Sequence, residues 1–64
     1  MIKVTRLNSN IITVNAEIIE TIEETPDTII TLTNGKKIIV QETLDEVIKL
    51  IMEYKKEIFR RYTN

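Results

Sequence analysis

The stretch TIITLTNGKKIIVQETLDE, residues 28–46, contains the two patterns that decide the fold. Its first part is two runs of β-branched residues separated by Asn34-Gly35, a dipeptide that tolerates the positive φ angles of a two-residue type I′ turn. Alternation along the two runs places four apolar side chains on one common face: Ile30, Leu32, Ile38 and Val40. We therefore predict a β-hairpin centred on this turn, with that face toward the core.

The period of the apolar residues changes from two to 3.6 after this hairpin. Thr43 and Glu46 have the spacing of a capping box, in which each side chain bonds the backbone N–H of the other residue. From Leu44 onward the apolar residues share one arc of a helix, and they are Leu44, Val47, Ile48, Ile51, Met52, Tyr54, Ile58, Phe59 and Tyr62. We predict an amphipathic helix from about 44 to 61, with Leu50 exposed outside the arc.

The residues before the hairpin carry weaker strand patterns. Ile2–Leu7 and Ile11–Val14 alternate, and the turn residues Asn8-Ser9-Asn10 separate them. Asn15 could cap a single helical turn or simply turn the chain, and Thr21–Glu24 is predicted to form a further strand with Ile22 inward. The predicted fold is α+β, a single domain over 1–64. A small antiparallel sheet of four to five strands from hairpins (1–42) precedes one C-terminal amphipathic helix (43–62).

The composition excludes several classes of site. The 64 residues include 13 Ile, four Val and nine Thr but no Cys and no His. Disulfides, thiolate metal sites, the commonest zinc ligand and the usual general base are therefore all missing. Ser9 is the only serine and has no histidine to activate it. We expect no enzyme, no catalytic residue, no cofactor and no metal site.

Charge is distributed unevenly along the chain. An acidic surface is predicted at Glu17, Glu20, Glu23 and Glu24. The last ten residues instead carry four bases and one acid, while residues 1–54 carry five bases and nine acids. This asymmetry means either two solvated faces or complementarity with another copy or a partner. Bases alternate with aromatic residues near the C-terminus, so a small nucleic-acid-binding regulator is the alternative function, although the two residue types lie on different helix faces.

The helix is predicted to be longer than the sheet that it covers. Eighteen helical residues span about 27 Å, whereas six-residue strands span about 20 Å. The overhanging half needs another surface, or else it tilts to complete the monomer's own core. We predict a homo-oligomer or partner interface on this half, formed by Tyr54, Lys55, Ile58, Phe59 and Tyr62.

Three segments in order carry a family resemblance. They are MIKVTRLN (1–8), NAEIIETIE (15–23) and TPDTIITLTNGKK (25–37). With them the whole chain resembles the FlbD family of flagellar proteins, to which swarming motility proteins of the SwrD type belong. Where family members usually carry Asn-Gly after the first strand, this chain has Asn8-Ser9-Asn10.

The resemblance implies a non-catalytic interaction module that supports flagellar motor torque and swarming, acting with motor and stator proteins. No apolar run exceeds three residues, far below the ~20 that span a bilayer, and we expect no secretory signal. We expect a cytoplasmic protein without a membrane span, peripheral at the flagellar motor.

Overall fold

The computed structural model describes the backbone of residues 1–63 and the side chains of residues 1–61. Its elements are β1 (Ile2–Thr5), β2 (Ile11–Val14), a 3₁₀ turn (Ala16–Ile18), β3 (Ile19–Glu24), β4 (Thr28–Leu32), β5 (Lys37–Val40) and α1 (Leu44–Thr63). Strands β1 and β2 form one antiparallel pair, and β3, β4 and β5 form an antiparallel sheet in that order. The predicted α+β fold is therefore confirmed, with five short strands in two sheets.

The two sheets are joined where β1 meets the end of β5. Arg6 forms an isolated antiparallel bridge with Val40. Beside it, the Gln41 N–H donates to the Thr5 carbonyl at 2.7 Å. Strand β1 is thereby hydrogen-bonded at Thr5 on the side that faces away from β2.

The predicted hairpin at Asn34-Gly35 is confirmed, but its turn type is not. Leu32 lies opposite Lys36 and donates to its carbonyl at 2.8 Å, so three residues rather than two form the loop. Gly35 has a positive φ of 87°, whereas Asn34 does not, as a type I′ turn would require. The Asn34 Oδ1 instead accepts from the Lys36 N–H at 2.9 Å. This side-chain bond favours a three-residue loop that ends in a left-handed residue.

The β1–β2 loop has the same geometry. The backbone N–H of Arg6 donates to the Asn10 carbonyl at 2.8 Å. The Asn8 Oδ1 accepts from the Asn10 N–H at 3.1 Å. Ser9 takes the left-handed position with a φ of 72°, so strand β1 ends at Thr5 and not at Leu7. A non-glycine residue in this region is strained, so Ser9 carries a backbone cost that a glycine would not.

Of the two predictions for the segment between β2 and β4, one is confirmed and the other is wrong in where the strand begins. Asn15 does cap a helical turn, because its Oδ1 accepts from the Glu17 N–H at 3.0 Å. Strand β3 begins at Ile19 rather than Thr21, since a register irregularity next to Ile19 lets it pair with the end of β4. In the following turn, the Thr25–Pro26 peptide bond is cis.

The core lies between the two sheets and helix α1. Its buried residues are Ile2, Val4, Val14, Ala16, Ile30, Leu32, Ile38, Val40 and Val47. Helix α1 adds the half-buried Leu50, Ile51 and Tyr54, so the expectation that Leu50 is exposed was wrong. Helix α1 contacts β1 and β3. These contacts orient the helix with the Leu50 and Tyr54 side inward and Met52 outward.

Candidate functional site

Helix α1 is fixed at its first turn by three side chains. The predicted capping box is present, because the Thr43 N–H donates to Glu46 Oε1 at 2.8 Å and the Glu46 N–H donates to Thr43 Oγ1 at 3.2 Å. Glu24 from β3 adds a bond that was not foreseen, its Oε1 accepting from the Leu44 N–H at 3.0 Å. These bonds satisfy amide groups that a helix start leaves without partners.

Glu42 ties the start of the helix to β1. Its carboxylate accepts from the Thr5 N–H at 2.8 and 3.0 Å and from Thr5 Oγ1 at 2.8 Å. Partial burial raises the pKa of the Glu42 carboxyl, but the hydrogen bonds, chiefly those from Thr5, outweigh burial and hold this pKa below its ordinary value of 4.5. The carboxylate therefore acts as a charged clamp between two segments 37 residues apart.

The outward face of helix α1 carries an apolar stripe. Ile48, Met52 and Phe59 are 41%, 65% and 69% exposed, and Lys55 completes the spacing of four, three and four residues. We call Ile48, Met52, Lys55 and Phe59 the outer stripe. Exposed lysines and acids border it, among them Lys49, Glu53 and Lys56. Large apolar side chains at helical spacing on an exposed face are typical of a surface that binds another protein.

The predicted interface residues divide between the two faces of the helix. Tyr54 and Ile58 are half-buried, and Tyr54 packs against the core. Lys55 and Phe59 are exposed and belong to the outer stripe. The side chain of Tyr62 lies outside the described residues. The structure thus brings together two of the five predicted residues, with Ile48 and Met52 added.

The predicted acidic surface lies along the edge strand β3 and the 3₁₀ turn before it. Glu17, Glu20, Glu23 and Glu24 are all exposed. Glu24 differs from the other three because its carboxylate bonds the start of helix α1. Among the described residues, no group of three acidic, histidine or cysteine side chains could hold a metal ion.

The C-terminal bases are exposed on helix α1. Arg60 and Arg61 both lie near Glu57, with nitrogen–oxygen distances of 3.5 and 3.9 Å. Lys55 and Lys56 are exposed, the former within the outer stripe. Exposed pairs of this kind contribute little to stability, so the bases remain available to an acidic partner.

Ile48 and Met52 were not predicted to be surface residues, and Glu42 was not predicted to bond β1. The sequence does contain a signal for the outer stripe, because its members are spaced four, three and four residues apart. This spacing defines a second helical stripe next to the one that packs inward. Glu42 had no such signal. Its partner Thr5 is 37 residues away, and only the fold brings the two together.

No helix in the described part of the chain combines the length and the apolar character needed to cross a membrane.

A family model described as flagellar and swarming motility proteins matches residues 1–59, from β1 to Phe59 in the last turns of the helix. No curated protein and no solved structure matches the chain. The family match agrees with the resemblance drawn from the three sequence segments. The chain belongs to the FlbD family of flagellar and swarming motility proteins.

Proposed function

We propose that the protein is a non-catalytic interaction module that supports flagellar motor torque during swarming, and that its outer stripe binds a stator protein at the cytoplasmic side of the motor. The observation that carries this proposal is the exposure of Ile48 and Met52 on a helix whose other face is buried. The family supplies the motility context. The chain has no His and no Cys, which supports a non-catalytic role.

The chemistry of the outer stripe favours a protein partner. An amphipathic helix that packs into an apolar groove uses anchors three and four residues apart, which is the spacing found here. Three lysines and one acid border or interrupt the stripe: Lys49, Lys55, Lys56 and Glu53. The partner surface should therefore be apolar with charged groups at its rim, more of them acidic than basic.

The proposal is tested in a flagellated host that makes this protein. Gene deletion and Met52→Glu should both reduce swarm expansion and the torque of single motors. Leu7→Glu is the matched control, because Leu7 is also exposed, at 53%, but lies in the β1–β2 loop. Thermal unfolding of the purified variants confirms that both still fold. Normal torque in a clean deletion would discard the role in torque.

Direct contact with the stator is tested by crosslinking. The chain has no cysteine, so Met52→Cys and Leu7→Cys each introduce a single thiol. With a thiol-reactive photocrosslinker in motile cells, Met52→Cys should yield an adduct with a stator protein and Leu7→Cys should not. Equal yields from the two positions, or none, would contradict the assignment of the outer stripe.

A second candidate function is nucleic-acid binding by a regulator of flagellar expression. The exposed bases Lys55, Lys56, Arg60 and Arg61 favour it. Binding that rests on phosphate contacts weakens steeply with salt, so titrations of duplex DNA and of RNA at two salt concentrations decide it. No binding at low salt would remove this candidate.

A further inference from the structure

The two ends of the strand arrangement, β2 and β3, each pair on one side only. Strand β2 pairs with β1, and β3 pairs with β4. Each therefore presents a row of backbone groups along its other side, which is a template for pairing with another strand.

The outward backbone groups of β2 can be assigned from its register. The backbone N–H of Arg6 donates to the Asn10 carbonyl, so Arg6 and Asn10 form a hydrogen-bonded pair. Such pairs recur at every second position of an antiparallel ladder. The other hydrogen-bonded pairs of this hairpin are therefore Val4–Ile12 and Ile2–Val14. The residues between them turn their N–H and C=O groups away from β1. On β2 these residues are Ile11 and Thr13.

The backbone groups on the far side of β1 follow the same alternation, which supports this assignment for β2. Thr5 is opposite Ile11, and its N–H and C=O point away from β2 to bond Glu42 and Gln41. On β2, by contrast, the N–H and C=O groups of Ile11 and Thr13 have no hydrogen-bond partner within the described part of the chain.

The two open edges differ in charge. Strand β3 carries three exposed glutamates in six residues, Glu20, Glu23 and Glu24. Two copies paired along β3 would place these carboxylates against one another, which is unfavourable. Strand β2 reads Ile-Ile-Thr-Val, has no charge, and exposes 70% of Ile11. An uncharged, β-branched edge lacks the usual protection against strand pairing.

We propose that β2 is a self-association edge, which pairs antiparallel with β2 of a second copy about a two-fold axis at Ile12. In this register Ile11 lies opposite Thr13 of the second copy, and Ile12 lies opposite Ile12. The outward groups of Ile11 and Thr13 then form four hydrogen bonds between the chains, since symmetry repeats each one. The result is one antiparallel sheet in the order β1-β2-β2-β1.

Two features of β2 suit pairing with a second copy. The outward groups of β2 are self-complementary about Ile12, so every donor meets an acceptor without a change in backbone. The half-buried Ile12 side chains also meet on the face that packs against the core. Four residues form a small interface, so the dimer should be reversible and dependent on concentration. This inference is independent of the proposed role in torque.

The register is tested by disulfide crosslinking. Opposite residues of a non-hydrogen-bonded pair have Cα atoms ~4.5 Å apart, within the range of ~4.4–6.8 Å for a disulfide. Ile12→Cys should therefore form a covalent dimer on mild oxidation of the purified protein. Ile22→Cys is the matched control, because Ile22 is also half-buried, but on the acidic edge strand β3. Equal dimer yields from the two variants would overturn the proposal.

Sedimentation of the cysteine-free protein gives a second readout. Thr13→Pro removes an outward N–H that β1 does not use, and so removes two of the four interchain bonds. It should raise the dimer dissociation constant roughly tenfold. Thr13→Lys places charge on the same edge and should weaken the dimer too, and it serves as the test if the proline variant does not fold. A wild-type monomer at the highest soluble concentration would overturn the proposal. So would a dimer that Thr13→Lys leaves intact and Met52→Glu abolishes, because the helix would then form the interface.

Discussion

The β1–β2 hairpin and the β4–β5 hairpin share one loop geometry but have different chemistry. Both close with three residues, and in both an asparagine side chain, of Asn8 or Asn34, accepts from the N–H two residues later. The left-handed residue is Ser9 in one loop and Gly35 in the other. The common asparagine therefore favours this loop, and glycine only lowers the strain of forming it.

The two hairpins also differ in how they are held in the fold. The β4–β5 hairpin is paired on its other side by β3 and lies in a three-stranded sheet. The β1–β2 hairpin has two strands, and it is attached through the Arg6–Val40 bridge, the Glu42 clamp and the packing of helix α1. A two-stranded hairpin is marginal by itself in water. Its stability should therefore depend on these attachments more than on its own loop.

The largest expected effect is at Val47, the one fully buried side chain among residues 44–61 of helix α1. Val47→Ala should lower the free energy of unfolding by about 2–3 kcal/mol, because it removes buried methyl groups and leaves a cavity where the helix packs between the sheets. Ile48→Ala, on the outward face, is the control and should change it by less than about 0.5 kcal/mol. Urea unfolding measures both. Similar losses from the two variants would contradict the inward orientation of Val47.

The next effect is at the Glu42 clamp and depends on pH. The pKa of Glu42 is lower in the folded than in the unfolded chain, so its stabilisation is present above the unfolded value near 4.5 and is lost as pH falls through the folded value. Glu42→Gln should lower the free energy of unfolding at neutral pH by roughly 1–2 kcal/mol. The difference from wild type should shrink in acid. Glu20→Gln removes a carboxylate on the exposed edge strand and is the control. A loss independent of pH at Glu42 would exclude the charge as its cause.

A smaller effect tests the need for glycine in the β4–β5 loop. Gly35→Ala should lower the free energy of unfolding by about 1 kcal/mol, because alanine is strained at a φ of 87°. Apart from Gly35 and its two chain neighbours, no residue has a heavy atom within 4 Å of the position that the alanine Cβ would take, so the variant measures backbone strain. Thermal unfolding provides the value. An unchanged midpoint would mean that the loop can switch to another turn.

The smallest effect is expected in the matching loop of the other hairpin. Ser9→Gly should raise the free energy of unfolding by about 0.5 kcal/mol, because relief of strain at a φ of 72° exceeds the extra entropy that glycine has in the unfolded chain. Chemical denaturation of wild type and variant, with Gly35→Ala alongside, compares the two loops. A destabilised Ser9→Gly variant would mean that the Ser9 side chain contributes more than its backbone strain costs.

Much of the fold was predictable because its signals are local. The alternation around Asn34-Gly35 predicted a hairpin whose inward residues are buried, and the Thr43–Glu46 pair predicted the start of the helix. The predicted turn type was wrong, since the asparagine side-chain bond is not visible in a pattern of apolar residues. The acidic surface was placed on exposed residues, but the bond from Glu24 to the helix start was not foreseen.

The candidate site was less predictable, because it depends on how far helix α1 is rotated about its axis. Its apolar arc includes both Tyr54 and Met52, and the arc alone does not say which of them packs inward. Contacts with β1 and β3 turn Tyr54 in and Met52 out. The predicted interface therefore mixed residues of the two faces.

The sequence by itself determined the elements of this protein, their order and the chemistry that it lacks. Hydrophobic period, turn residues and capping residues act over a few positions, and the absence of Cys and His holds in any fold. The tertiary structure alone decided that Glu42 clamps Thr5, that Ile48 and Met52 face outward, and that β2 is left as an uncharged edge. The physical reason is that each of these features depends on contacts between segments far apart in the chain. Local sequence patterns do not indicate such contacts.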